Sequence, residues 1–204
     1  MGFEWSPDGK KLAYYVFDET DVKEFQMKMY GSLYPTHYKF KYPKAGEDNS
    51  LISIRIFDTQ YDRHFVFDVG NNPDIYIPRI MWSKRRDELI VFKMNRLQNK
   101  LELLSGTFSM DTPNNIGIKT KPIYTENSTT YIDIHDNTSF INENEFIWTS
   151  EKDGYNHIYL INYANGTEKQ LTSGDWDVTE VYGYASHVSY THLRAPETKA
   201  NLVC

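Results

Sequence analysis

The sequence predicts an all-β fold, on three observations. Short runs with period-two alternation are separated by turn dipeptides. Aromatic residues make up 15% of the chain, with 16 Tyr, 11 Phe and 4 Trp, and such rings favour pleated surfaces. No stretch of about ten or more residues carries a helical period.

The elements follow in order. Ser6-Pro7-Asp8-Gly9-Lys10 reads as a turn, because Pro7 presets φ and Gly9 accepts the positive φ that closes a hairpin. A strand over 12–17 follows it. Residues 51–57 alternate cleanly, with Ser53 and Arg55 on one face, and 64–68 form another short strand. Residues 75–82 and 88–94 read as consecutive strands, followed by 100–104. Residues 146–150, the turn Lys152-Asp153-Gly154 and residues 157–161 make a hairpin, and the turn Asn165-Gly166 leads into 167–171.

These elements repeat. Trp5 stands seven residues before Leu12, and Trp82 seven before Leu89. Phe140 precedes Phe146-Ile147-Trp148 at one residue less. Each unit is a strand ending in an aromatic, a polar turn, then an aromatic-rich strand. The units recur 77 and 58 residues apart. That exceeds the roughly 40–50 residues of a propeller blade, so the blades carry insertions, the first at 18–49. A β-propeller with decorated blades fits best and a β-sandwich is the runner-up. About three blades of four-stranded antiparallel sheet are present where closure takes about four to eight, so the expectation is a partial propeller with an inserted arm.

Composition excludes several classes. The 204 residues hold 22 Lys and Arg against 28 Asp and Glu, a formal charge of −6 without the basic footprint of a nucleic-acid binder. The one cysteine, Cys204, permits neither an internal disulfide nor a cysteine-based metal site. No apolar run approaches the roughly 18 residues that span a bilayer. Met1-Gly2-Phe3-Glu4-Trp5 shows no targeting segment, which implies a cytoplasmic chain or a fragment.

The chemistry-bearing motifs are sparse. There is no Gly-x-Ser-x-Gly elbow, no phosphate-cradling loop and no Gly-x-Gly-x-x-Gly, so no catalytic residue and no cofactor are assigned. None of the six histidines is paired at the spacing of a zinc-binding helix. Asp133-Ile134-His135-Asp136 is the densest ligand-like cluster. A calcium loop counted from Asp133 would need Gly and Glu where Thr138 and Asn144 stand, so no metal is expected. His157, in an aromatic strand, reads as a packed core residue. Trp5, Trp82, Trp148 and Trp176 read as blade-to-blade packing rather than as a stacking surface for ligands. Lys84-Arg85-Arg86 reads as a solvated turn, offset by Asp87-Glu88. Sequons occur at Asn127, Asn137 and Asn165.

Trp5-Ser6-Pro7-Asp8-Gly9-Lys10-Lys11-Leu12-Ala13-Tyr14 resembles the blade motif of propellers in the prolyl oligopeptidase clan, a motif that TolB-type propellers share. The continuation is more specific. Phe17-Asp18-Glu19-Thr20-Asp21-Val22, Tyr34-Pro35 and Tyr42-Pro43-Lys44-Ala45-Gly46 resemble the dipeptidyl peptidase IV family in order and spacing. So do Ser150-Glu151-Lys152-Asp153-Gly154-Tyr155-Asn156-His157-Ile158-Tyr159 and Leu171-Thr172-Ser173-Gly174-Asp175-Trp176-Asp177-Val178. The likeness covers about 2–184 and is nearest to bacterial members.

The resemblance implies a parent serine peptidase that removes N-terminal dipeptides, preferably with proline second, through a Ser-Asp-His triad in a C-terminal α/β-hydrolase domain. It also implies a glutamate pair that binds the substrate's α-amino group by charge-assisted hydrogen bonds and would precede Met1. This chain alone is therefore expected to be inactive, and its parent periplasmic or envelope-associated. The segment 23–46 corresponds to the family's arm, which takes part in homodimer contacts. Tyr30, Tyr34, Tyr38, Tyr42, Pro43 and Lys44 are thus the candidate interface residues. The alternative is a non-enzymatic TolB-like scaffold that binds proteins, and a sugar-binding β-sandwich ranks third. Residues 1–184 are expected to be propeller. Residues 185–204 show no alternation, resemble translated adapter read-through and are expected to be non-native or unstructured.

Overall fold

The computed structural model describes residues 2–83, 88–112, 115–185 and 190–194, and among them every regular element is a strand. Lys84-Arg85-Arg86, the proposed solvated turn, lies outside the described residues, as do 186–189 and 195–204 with Cys204.

Three four-stranded antiparallel sheets follow one another along the chain. The first orders β1 (Phe3–Trp5), β2 (Lys11–Asp18), β5 (Leu51–Asp58) and β6 (Arg63–Phe67), with the hairpin β3 (Glu24–Met29) and β4 (Thr36–Lys41) inserted between its second and third strands. The second holds β7 (Ile75–Trp82), β8 (Glu88–Asn95), β9 (Lys100–Thr112) and β10 (Asn115–Asn127). The third holds β11 (Ser139–Phe140), β12 (Glu145–Ser150), β13 (His157–Asn162) and β14 (Thr167–Gln170).

The repeat read in the sequence is the first hairpin of each sheet. Trp5, Trp82 and Phe140 end the three opening strands. The turns close with matching backbone bonds: Ser6 N–H to Lys11 C=O at 2.8 Å, Ser83 to Glu88 at 3.0 Å and Ile141 to Glu145 at 2.9 Å.

The sheets pack face to face. Ala13, Ile54, Ile56 and Phe67 of the first meet Ile75, Ile80, Leu89 and Val91 of the second. The alternate residues of β8, Ile90, Phe92 and Met94, meet Phe146, Trp148, Tyr159 and Ile161 of the third. Because successive side chains on a strand point to opposite faces, a sheet covered on both needs a continuous apolar run. Leu89-Ile90-Val91-Phe92 is that run, and all four are buried.

The structure departs from the sequence reading in two places. Residues 100–104 are only the start of a 13-residue β9, paired along its length with a β10 that the alternation did not reveal. Three of the tryptophans are fully or partly buried, but Trp5 is 49% exposed. It stands opposite Leu12 on the face of the first sheet turned away from the second, where no described sheet covers it. In the Asp133–Asp136 segment, Asp136 is held by Arg79. At the end of the described residues, β15 (Glu180–Ala185) pairs with β16 (Tyr190–Arg194), which satisfies the backbone of β15.

Candidate functional site

The arm is the most exposed apolar feature among the described residues. Its register sets Phe25 opposite Phe40, Met27 opposite Tyr38 and Met29 opposite Thr36 on one face. The intervening pairs, Glu24 with Lys41, Gln26 with Lys39 and Lys28 with His37, form a polar face. Period two thus makes a two-stranded ribbon amphipathic.

Rings run along the apolar face. Phe25 and Phe40 lie 5.8 Å apart, Tyr38 and Phe40 5.6 Å, and Phe40 and Tyr42 6.0 Å between centroids. Lys44 Nζ sits 5.2 Å above the Phe25 ring, and Pro43 is half-buried beside it. The root is tied down: Lys41 Nζ donates to the Val22 carbonyl at 2.7 Å, Tyr42 N–H to Lys23 C=O at 3.0 Å, and Lys23 pairs with Glu47.

Of the six candidate interface residues, Tyr38, Tyr42 and Lys44 therefore join one aromatic cluster. Tyr30 and Tyr34 stand at the tip, each 78% exposed, with Leu33 between them at 92%. Phe25, Met27, Met29 and Phe40 belong to the same surface and were passed over in the sequence, although their alternation was readable. Soluble monomeric proteins seldom expose a contiguous apolar face of this kind.

A second feature is a cavity of about 440 Å³ between the loop preceding β11 and the turn joining β12 to β13, lined by Glu126, Ser128, His135, Thr149, Ser150 and Lys152 among others. Glu126, at the end of β10, is buried. It accepts the Trp148 Nε1–H at 2.6 Å and the Ser150 hydroxyl. The His135 ring stands edge-on to Trp148 with centroids 4.4 Å apart. Its Nδ1 accepts the Asn137 N–H at 3.3 Å. Lys152 Nζ lies 3.9 Å from the centre of the Tyr159 ring and pairs with Glu168.

Burial pushes the His135 imidazole down to about 4, with the Thr149 backbone, Asp133 and Asp136 pulling the other way and Arg79 adding to the fall. Because the unfolded ring takes up a proton near its ordinary value of 6.5 and the folded one does not until about 4, the chain is destabilised as pH falls through that window. We expect the group to remove about 2 kcal/mol of stability between neutral pH and about pH 5. Urea titrations of the chain and of His135→Phe at the two pH values check this; the variant should lose that increment of pH dependence.

Ser83 and Ser105 each donate to the buried Glu88 at 2.7 Å, and Ser150 donates to Glu126. Each of these serine hydroxyls is therefore committed to a buried carboxylate. His157, 1% exposed, shares its nitrogens with Thr172 Oγ1 at 3.2 Å and the Gly174 carbonyl at 2.9 Å. Arg79 reaches across to Asp136, Nε to Oδ1 at 2.6 Å, which raises the guanidinium and lowers the carboxyl. Both groups are well exposed, so the pair adds little stability and mainly fixes the loop against β7.

Successive four-stranded sheets packed face to face, each opened by an aromatic-ended hairpin, define a segment of β-propeller bearing one inserted arm. The chain belongs to the dipeptidyl peptidase IV family: the model of the dipeptidyl peptidase IV N-terminal region matches residues 1–192. A crystal structure of Porphyromonas gingivalis dipeptidyl peptidase 4 superposes with a TM-score of 0.81 at 34% identity, over 96% of this chain and 27% of that one. A putative dipeptidyl aminopeptidase IV from Bacteroides ovatus gives 0.78 at 26% identity, over 95% of this chain and 30% of that one. Among curated relatives, the prolyl endopeptidase FAP of Bos taurus is 29% identical over 87% of this chain. The chain spans 25% of the length of that relative.

Proposed function

We propose that this chain is the propeller portion of a serine-type dipeptidyl peptidase that removes N-terminal Xaa-Pro dipeptides. In this reading the propeller controls which peptides reach the catalytic centre, and that centre sits in a C-terminal α/β-hydrolase domain of the parent protein. The chain itself supplies no catalytic residue and needs no cofactor. The observation that carries the proposal is the family match over 1–192 together with the likeness to a bacterial dipeptidyl peptidase 4 across nearly the whole chain.

The arm supports homodimerisation. Its apolar face and tip, with Tyr30, Tyr34, Tyr38, Tyr42, Pro43 and Lys44, supply the large amphipathic side chains that protein interfaces favour. The parent acts in the periplasm or at the cell envelope, where peptide substrates are met.

The reading frame around the encoding gene tests the assignment. It is expected to carry a Gly-x-Ser-x-Gly elbow downstream and a glutamate pair shortly upstream of Trp5. A frame that lacks both would favour a binding scaffold of the TolB type.

A further inference from the structure

The four-residue loop between β13 and β14 ends in Asn165-Gly166, the one Asn-Gly pair in the sequence. Asn165 is exposed. Asn162 Oδ1 accepts the N–H groups of Ala164 at 3.1 Å and Asn165 at 3.3 Å, which fixes the entry to the turn. Asn165 Oδ1 in turn accepts two bonds from one residue, the Thr167 N–H at 3.0 Å and the Thr167 hydroxyl at 2.8 Å. Gly166 has φ +72°, and a Cβ placed there would meet nothing within 4 Å.

Two donors on one amide oxygen draw electron density from Cγ. They would also stabilise the oxyanion that forms when a nucleophile adds there. The neighbouring nucleophile is the Gly166 nitrogen, which no side chain shields. We propose that Asn165 is a site of spontaneous deamidation, promoted by Thr167.

The Gly166 N–H loses its proton to solvent base and the nitrogen bonds to Asn165 Cγ. The tetrahedral adduct collapses with cleavage of Cγ–Nδ2, and that nitrogen takes a proton and leaves as ammonia. Water then opens the five-membered succinimide at either carbonyl, giving aspartate or isoaspartate. No oxidation or reduction occurs.

Either product adds a negative charge to the turn, and isoaspartate also lengthens the main chain by a methylene. The effect falls on β14, a four-residue edge strand exposed along its length. That strand holds Glu168, the partner of Lys152, and Gln170, which donates to Asp153. Lys152 lines the cavity beside Glu126, so a slipped β14 would alter the cavity rim.

The test incubates the purified 204-residue chain at mildly alkaline pH and follows the peptide spanning Asn165 by mass spectrometry. Isoaspartyl methyltransferase labelling reads the second product. Asn165 is expected to convert ahead of every other asparagine. Thr167→Val, which keeps a β-branched side chain on the strand, should slow conversion about fivefold, and Thr167→Ser should restore it. In urea the valine variant and the unaltered chain should convert at equal rates, which separates turn geometry from local sequence. Asn165 remaining an amide while other asparagines convert would overturn the proposal. So would a folded Thr167→Val chain that converts as fast as the original.

Discussion

Replacing Trp148 with alanine is expected to lower stability by about 4 kcal/mol. The ring is 1% exposed and lies in the seam between the second and third sheets. It contacts Phe92 across that seam, with centroids 5.9 Å apart, as well as Tyr124, Phe146 and His135. Truncation removes these contacts, leaves a cavity too well walled to collapse, and takes one donor from the buried Glu126. Trp148→Phe should recover most of the packing but not the hydrogen bond. Urea unfolding followed by circular dichroism ranks the three proteins. A cost below about 1 kcal/mol for the alanine variant would mean that the sheets do not meet there.

Gly106→Ala is expected to cost about 3 kcal/mol, although it adds a single methyl group. Gly106 lies mid-strand on β9, where the Phe67 ring from the first sheet rests directly on the backbone. A Cβ there would overlap that ring and stand 3.0 Å from an Ile118 methyl. Phe67 is 1% exposed and has no room to retreat. Phe67→Leu in the same chain should relieve part of the cost, a coupling that a double-mutant cycle measures. Additive effects of the two substitutions would count against the contact.

The fold was legible where local grammar and packing agreed. Trp5, Trp82 and Phe140 mark the opening hairpins because each ends the first strand of its sheet, before a turn closed by a corresponding backbone bond. The run 89–92 was legible because the second sheet is buried on both faces. β10 escaped notice because Gly117, Lys119, Lys121 and Pro122 break its apolar alternation. It is held instead by pairing with β9 as the outer strand of its sheet, a place that tolerates Pro122, and the register shifts between Pro122 and Tyr124.

The arm was visible as surplus length, and its tyrosines as candidate contacts. The alternation of Phe25, Met27 and Met29 was readable too, but the register that sets Phe25 against Phe40 across the hairpin is not specified by any local pattern. The cavity was illegible for a related reason. Glu126, His135 and Ser150 come from an outer strand, an interblade loop and a hairpin of the next sheet, and only the stacking of sheets brings them together.

If this chain is the propeller of a dipeptidyl peptidase, the parent protein should release a chromophore from a Gly-Pro substrate. The complete reading frame, expressed and purified, should release the dipeptide and lose that activity to a serine-directed acylating or phosphonylating reagent, while the 204-residue chain alone should release none. A complete protein that folds and leaves the substrate intact, or an isolated chain that cleaves it, would contradict the account.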